Sequence, residues 1–350
     1  MDLFFYTSRG IPPYMPSHAF PLVQVSFPHF YSHSHLWDRI SLSEFVGSEA
    51  QTYLSVKDIL NPHTSVVGTS NSNQVRIGVP SNKNISVQDY MRFVNSSKVN
   101  YAVSLAEEAP LSAGHHRARR SSIFAVAMLD QCLKLKNSNT KILGNIQGGS
   151  DLAIRGKCAR EMKKREVDGF VIGGLSEQDH GAKVRRLVES VCYELKEDSR
   201  MIVLGGLGRP LDVVHAASQG VTHFEVAWPF LKAKEGIALN LGLESFEDEG
   251  ELVDEEFWEP ELNLSHKRFA QAKGPLVEGC ECFTCTHHHR AYVHHLLGLN
   301  ELNAHTLLAE HNTYCYQKLI TLLNSAKEEC NLKKVYPGFV KKYCEMKVSH

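Results

Sequence analysis

Residues 140–149 read TKILGNIQGG, residues 169–175 read GFVIGGL and residues 201–208 read MIVLGGLG. Each is a short apolar run that stops on glycine, the mark of a strand buried on both faces. Between them, Asp151 to Val167 and Ala182 to Leu195 carry helical patterns, and Asp151 stands near a helix start. Upstream, Ile123, Val126, Ala127, Leu129 and Leu133 recur at helical spacing across Ser122 to Leu135. Downstream, Leu211 to Ser218 reads as a short helix closed by Gly220, and His223 to Trp228 reads again as a strand. Strand, glycine loop and helix repeat at spacings that suit right-handed βαβ crossovers and hence a parallel sheet. Glycine at the strand ends predicts backbone that approaches a ligand closely. A (β/α) barrel and an open doubly wound sheet both satisfy this pattern, so periodicity leaves the two standing.

The chain has 350 residues, a formal net charge of −1, 43% hydrophobic and 22% charged residues. This is ordinary globular composition, and it excludes a global electrostatic attraction to nucleic acid. No apolar run is long enough to span a bilayer as a helix. Met1 to Tyr6 lacks the basic lead of a signal peptide and the Arg-rich character of a transit peptide, so a cytoplasmic location is expected. With that, the nine cysteines read as thiols and metal ligands rather than a disulfide framework. Glu244 to Glu261 is acidic with no Lys or Arg and reads as an exposed loop. His115 to Arg120 (HHRARR) forms a basic cluster just before a predicted helix. Cations there oppose the helix dipole by roughly 0.3–1 kcal/mol each when exposed, which a phosphate would offset; solvated charge is the plainer account.

Cys280, Cys282 and Cys285 form C-x-C-x-x-C. Three thiols on one loop can converge on a tetrahedral ion. Their spacing leaves the fourth ligand open among His287, His288, His289, His294, His295, His305 and His311. Arg290 to Leu297 and Glu301 to Ala326 read as helices. On the second, His311 shares a face with Leu307, Leu308, Tyr314 and Cys315, which turns it toward packed surface. A closed Cys₃His set predicts a structural zinc with no open position for chemistry.

These residues resemble the tRNA-guanine/queuine transglycosylase family, whose zinc motif places a histidine after twenty-five residues that follow the last thiol, here His311. The turns Gln147-Gly148-Gly149 and Gly173-Gly174-Leu175, and the stretch Gly206 to Pro210 with Gly220 and Phe224, are similar to that family's segments. So is the lead-in from Leu262 to Phe269 and then Gly274 to Leu276. The resemblance implies a (β/α)8 TIM-like barrel over residues 1–262, including an acidic loop at 244–261. A zinc-binding helical subdomain over 263–350 would pack on it, with one structural zinc per chain on Cys280, Cys282, Cys285 and His311. It also implies exchange of guanine for queuine at the tRNA wobble position.

Four departures bear on activity. The family's nucleophilic aspartate corresponds to Glu225, one methylene longer; misplacement on the order of 1 Å can cost a hundred-fold in rate. Its D-S-G-G-F-Q segment is missing where it is expected before Asp89, in Thr69 to Val75. Its base-gripping L-D-E-C reads Leu105-Ala106-Glu107-Glu108, without the aspartate. Its arginine-rich stretch after the nucleophile is replaced by Phe230 to Lys234. A retained scaffold with these losses resembles the family's non-catalytic accessory branch, and Gly10 to Tyr14 is similar to that branch's early segment. The implied role is a non-catalytic subunit with no catalytic residues of its own, forming a heterodimer with the catalytic subunit and supporting tRNA binding. Cytoplasmic location with peripheral association at the mitochondrial outer membrane is implied as well. Two alternatives stand beside it: an active transglycosylase using Glu225, and a zinc-dependent RNA-binding protein outside this pathway.

Overall fold

The protein is described by a computed structural model covering residues 1–15, 20–37, 39–47, 49–61, 66–68, 74–79, 81–137, 139–175, 181–242 and 259–345. It forms two compact units, one of Asp2–Pro12 with Pro16–Ala227, the other of Met1, Pro13–Met15 and Trp228–His350. The division falls at Ala227, whereas the sequence boundary lies after Leu262. The acidic stretch, apart from its last residues, lies outside the described residues.

The larger unit runs β1 (Asp2–Tyr6), β2 (Leu22–Ser26), α1 (Phe27–Phe30), α2 (Leu42–Val46) and β3 (Gln51–Ser55). Then come β4 (Val66–Gly68), β5 (Gln74–Val79), β6 (Ser81–Ser86), α3 (Val87–Ser97) and β7 (Tyr101–Val103). It continues with α4 (His115–Leu135), β8 (Lys141–Ile146), α5 (Leu152–Lys163), β9 (Gly169–Ile172), α6 (Ala182–Leu195), β10 (Met201–Leu204), α7 (Pro210–Ser218) and β11 (His223–Val226). Eight of these strands close into a barrel in the order β1-β2-β3-β7-β8-β9-β10-β11, every pair parallel. The closed barrel is therefore the architecture, and the doubly wound alternative is excluded. The seam joins β1 to β11, with Asp2 opposite His223 and Phe5 opposite Val226. Strands β4, β5 and β6 form a separate antiparallel sheet inserted between β3 and α3.

Local chemistry sets the elements. Strands β8 to β10 are apolar along their length because both faces are covered. Gly144 lets two helices close on β8: a Cβ there would lie 3.1 Å from Met162 Sδ and 3.3 Å from Leu129 Cδ2. Asp151 is the N-cap of α5, accepting from the Ile154 amide at 3.0 Å. Ser41 and Glu44 form a reciprocal capping box on α2. The α4 helix starts earlier than its apolar periodicity predicts, so the basic cluster forms its first turns instead of preceding it.

Arg155, on α5, is fully buried. Its guanidinium donates to the carbonyls of Gly149 at 2.6 Å, Ile146 at 3.2 Å and Gly173 at 2.9 Å. It thereby ties the loop after β8 to the loop after β9.

The smaller unit contains α8 (Trp228–Lys234), β12 (Ile237–Leu239), β13 (Glu261–Asn263), α9 (Phe283–His287), α10 (Arg290–Gly298), α11 (Leu302–Glu328) and α12 (Leu332–Glu345). β12 and β13 pair antiparallel, and α11 packs against α8 and β12. Asn312, fully buried on α11, accepts from the Leu239 amide at 2.8 Å and donates to the carbonyls of Pro229 and Ile237 at 3.1 and 3.0 Å.

Replacing Arg155 by Met takes its donor from the buried carbonyls of Gly149 and Gly173, while Ile146 keeps the Gly173 amide at 3.3 Å. Each orphaned group costs about 1–3 kcal/mol, so urea unfolding of Arg155→Met is expected to show a loss of roughly 2 kcal/mol or more. His223 gives a pH-dependent expectation. Burial pushes its pKa down from 6.5 to about 4, against the opposing charge of Asp2. The unfolded chain then binds the extra proton first, so this stability is present above pH 6.5 and is lost as pH falls toward 4. The loss is about 3 kcal/mol at 1.36 kcal/mol per pKa unit. The stability difference between wild type and His223→Gln, followed from pH 7 to 4, is expected to change over that window.

Candidate metal centre and barrel mouth

The four ligand candidates converge. The donor atoms of Cys280, Cys282, Cys285 and His311 all lie within 4.8 Å of one another. The sulfurs stand 3.6, 3.4 and 3.4 Å from His311 Nδ1. A tetrahedral ion with bonds of about 2.3 Å to sulfur and 2.0–2.1 Å to nitrogen sets this separation at roughly 3.6 Å. The ring is oriented from its other side, where Nε2 lies 2.9 Å from the Leu239 carbonyl. Nε2–H donates there, leaving the Nδ1 lone pair facing the thiols, as a metal-bound histidine requires. Burial lowers the His311 pKa, but hydrogen bonds and charge from Cys280 and Cys285 outweigh it and raise it to about 10, so a metal would take the place of a proton on Nδ1.

The loop is held from α11. Glu310 accepts from the amides of Phe283 and Thr284 at 3.1 and 3.0 Å and from the Thr284 hydroxyl at 2.7 Å. It satisfies the free N–H groups at the start of α9. The remaining histidines go elsewhere. His294 meets the Leu264 carbonyl, His305 the Ala233 carbonyl, and His289 caps α10. His287 stacks on Phe283, and His288 stacks on Tyr292. Among the described residues, His311 is the histidine that meets the three thiols, on the face where the helical pattern puts it.

At the C-terminal end of the barrel strands, where (β/α) barrels place their active sites, lies a second cluster. Glu225, on β11, is buried. Its Oε1 accepts from the Tyr53 hydroxyl at 2.7 Å and its Oε2 from the Gly206 amide at 2.9 Å. Burial raises its pKa; the Gly206 and Tyr53 donors and the charge of Lys57 oppose that. Burial and the Glu225 carboxylate push the Tyr53 phenol well above its ordinary value, so it stays a donor. Tyr53 in turn stacks on Phe4 with ring centroids 4.3 Å apart. Gly208 permits the turn beside Glu225: its φ is +69°, and a Cβ would stand 2.5 Å from the Glu225 carbonyl oxygen.

The other expected positions are placed as follows. Ala106 is buried and offers no polar group. Glu107, also buried, turns to Arg120 at 2.8 Å and Arg117 at 3.8 Å, so it balances part of the basic cluster. His115 pairs with Asp151 at 3.0 Å, while His116 and Arg119 are exposed. Gln147 donates to the side chain of Asn145 at 2.8 Å. Lys232, in the stretch replacing the arginines, is buried against Trp228 and pairs with Glu235 and Glu261.

Thr69 to Val75 needs a correction. Residues 69–73 lie outside the described residues, between β4 and β5 of the inserted sheet, and Val75 is within β5. This segment follows no barrel strand. The residues that follow one are Val56, Lys57 and Asp58, after β3. Asp58 meets His29 at 2.9 Å and the Tyr6 hydroxyl at 3.2 Å. Lys57 enters the mouth, 2.5 Å from Glu108 Oε2 and 2.7 Å from the Leu175 carbonyl. The cavity left among Lys57, Glu108, Asn145, Gly174, Gly206 and Glu225 is about 20 Å³. That is room for about one water. Lys57, which lines the cavity, and Tyr53, which holds Glu225, are absent from the sequence reading.

A family model described as Queuine tRNA-ribosyltransferase matches residues 48–345. The chain belongs to this family. Among similar proteins, the human protein named Queuine tRNA-ribosyltransferase accessory subunit 2 is 27% identical over 350 residues, covering 88% of this chain and 84% of that protein. The Xenopus laevis protein of the same name is 30% identical over 329 residues, 83% of this chain and 78% of its own length. A Clostridium acetobutylicum Queuine tRNA-ribosyltransferase is 30% identical over 190 residues, 54% of this chain and 46% of its own length.

Glu310 provides a test of how the metal site is held. Removing an outer partner of a metal loop commonly costs 10–100-fold in affinity. Glu310→Ala is expected to give up its metal to a colorimetric chelator at about a ten-fold lower chelator concentration than wild type.

Proposed function

We propose that this chain is a non-catalytic subunit of a heterodimeric queuine tRNA-ribosyltransferase, supporting tRNA binding and assembly while a catalytic partner performs the exchange. The observation that carries this reading is the closed barrel mouth. Base exchange needs space for a purine and a carboxylate able to reach an anomeric carbon. Here the cavity is about 20 Å³, and both oxygens of Glu225 are engaged by Tyr53 and Gly206. The names of the vertebrate relatives point the same way.

The metal is zinc, with a structural role. Support comes from the donor set, three thiolates and one imidazole at tetrahedral spacing with all four positions filled by protein. The metal would join the α9 loop to α11 and β12 and take no part in bond breaking. A cytoplasmic location fits the chemistry of the cysteines, since none of the eight described is in a disulfide. Attachment to the mitochondrial outer membrane rests on the resemblance alone. For tRNA, the exposed Arg119 and His116 on α4 are the first residues to test, because Glu107 occupies their neighbours.

The test is incorporation of labelled guanine or queuine into a cognate tRNA. The chain alone is expected to give none. Mixed with a catalytic homologue, it is expected to raise incorporation above that of the homologue by itself. Incorporation by the chain alone, abolished in Glu225→Gln, would establish the active alternative instead.

A further inference from the structure

Three separate barrel strands deliver acceptors to one point. Glu108 follows β7, Leu175 follows β9 and Glu225 lies on β11. All three line the mouth cavity with Lys57, which arrives from β3. The Lys57 ammonium is 2.5 Å from the Glu108 carboxylate and 2.7 Å from the Leu175 carbonyl. Its side chain is 21% exposed and that of Glu108 only 11%. The Leu175 carbonyl is aimed by the preceding Gly174, whose φ of +72° suits glycine.

We propose that the barrel mouth is a primary-ammonium site which the chain fills with its own Lys57. The chemistry selects the class. A carboxylate and a carbonyl at hydrogen-bond distance, with a second carboxylate lining the same cavity, match a compact cation with three N–H donors. A quaternary ammonium has the charge but no donors. The size of the remaining cavity means that an outside amine binds only where the Lys57 ammonium is withdrawn. The inference stands on this geometry whether or not the chain assists a catalytic partner.

Lys57→Ala in the full chain removes the ammonium and leaves its acceptors behind. Its thermal unfolding is measured in ethylammonium chloride and in tetramethylammonium chloride at equal ionic strength. The variant is expected to melt below wild type and to be raised by ethylammonium, saturably, with no such rise from tetramethylammonium. Wild type and Lys57→Met, whose side chains fill the space, are expected not to respond to ethylammonium. An equal response to both cations, or the same response in wild type and Lys57→Ala, overturns the proposal. Should Lys57→Ala not fold, competitive acylation of wild type decides. Lys57 is expected to react roughly ten-fold slower than Lys164, which is 66% exposed, because labelling must wait for local opening. Glu108→Gln is expected to speed it. Equal rates for Lys57 and Lys164 in wild type overturn the proposal. Neither readout involves base exchange, so their failure leaves the accessory role untouched, and its failure leaves them untouched.

Discussion

The geometry at the barrel mouth depends on the buried guanidinium of Arg155. Two glycine loops, after β8 and β9, turn back on themselves and leave carbonyls pointing inward. A buried carbonyl without a donor is costly. One planar, fixed-charge fork reaches Gly149, Ile146 and Gly173 together. With Gly173 held, Gly174 takes its positive φ, and the Leu175 carbonyl faces the Lys57 ammonium. The arginine thus sets the shape of the mouth without lining it.

The two clusters use opposite means. In the metal centre, a short loop and a helix bring four donors to one point, and Glu310 and Asn312 beside His311 fix the helix to its surroundings. The ring of His311 is oriented by the hydrogen bond from Nε2–H to the Leu239 carbonyl, with Cys315 Sγ also 3.6 Å from Nε2. In the barrel mouth, the groups come from strands far apart in the chain and neutralise one another. The first arrangement leaves donors pointed at a common centre; the second uses its donors up.

That difference also governs what could be read from sequence. Three of the candidate metal donors fall within six residues and are plain from spacing, while the fourth was narrowed by the buried face of its helix and by the family motif. Strands β8 to β10 were legible because each carries a short apolar run followed closely by glycine. The first hundred residues were not, because the antiparallel β4–β6 sheet interrupts the barrel repeat. Thr69 to Val75 was compared with a catalytic segment although it belongs to that insertion. Tyr53 and Lys57 carried no local signal, since their partners lie 172 and 118 residues away. The pairing within the basic cluster was not legible either: Glu107, which balances Arg117 and Arg120, is ten and thirteen residues upstream of them and gives no sign in the sequence that it faces them.

The seam between β1 and β11 has a consequence for how the barrel is made. Its register pairs Asp2 with His223 and Phe5 with Val226, so the earliest of the eight barrel strands in the sequence must wait for the latest of them. During translation β1 leaves the ribosome with an open hydrogen-bonding edge and two phenylalanines that end up buried. Its other neighbour, β2, follows soon after, but the free side stays unpaired while more than two hundred residues are added. Such distant pairing slows folding and leaves an edge open to strands of other chains. Newly made chains would need shielding at this segment until β11 arrives.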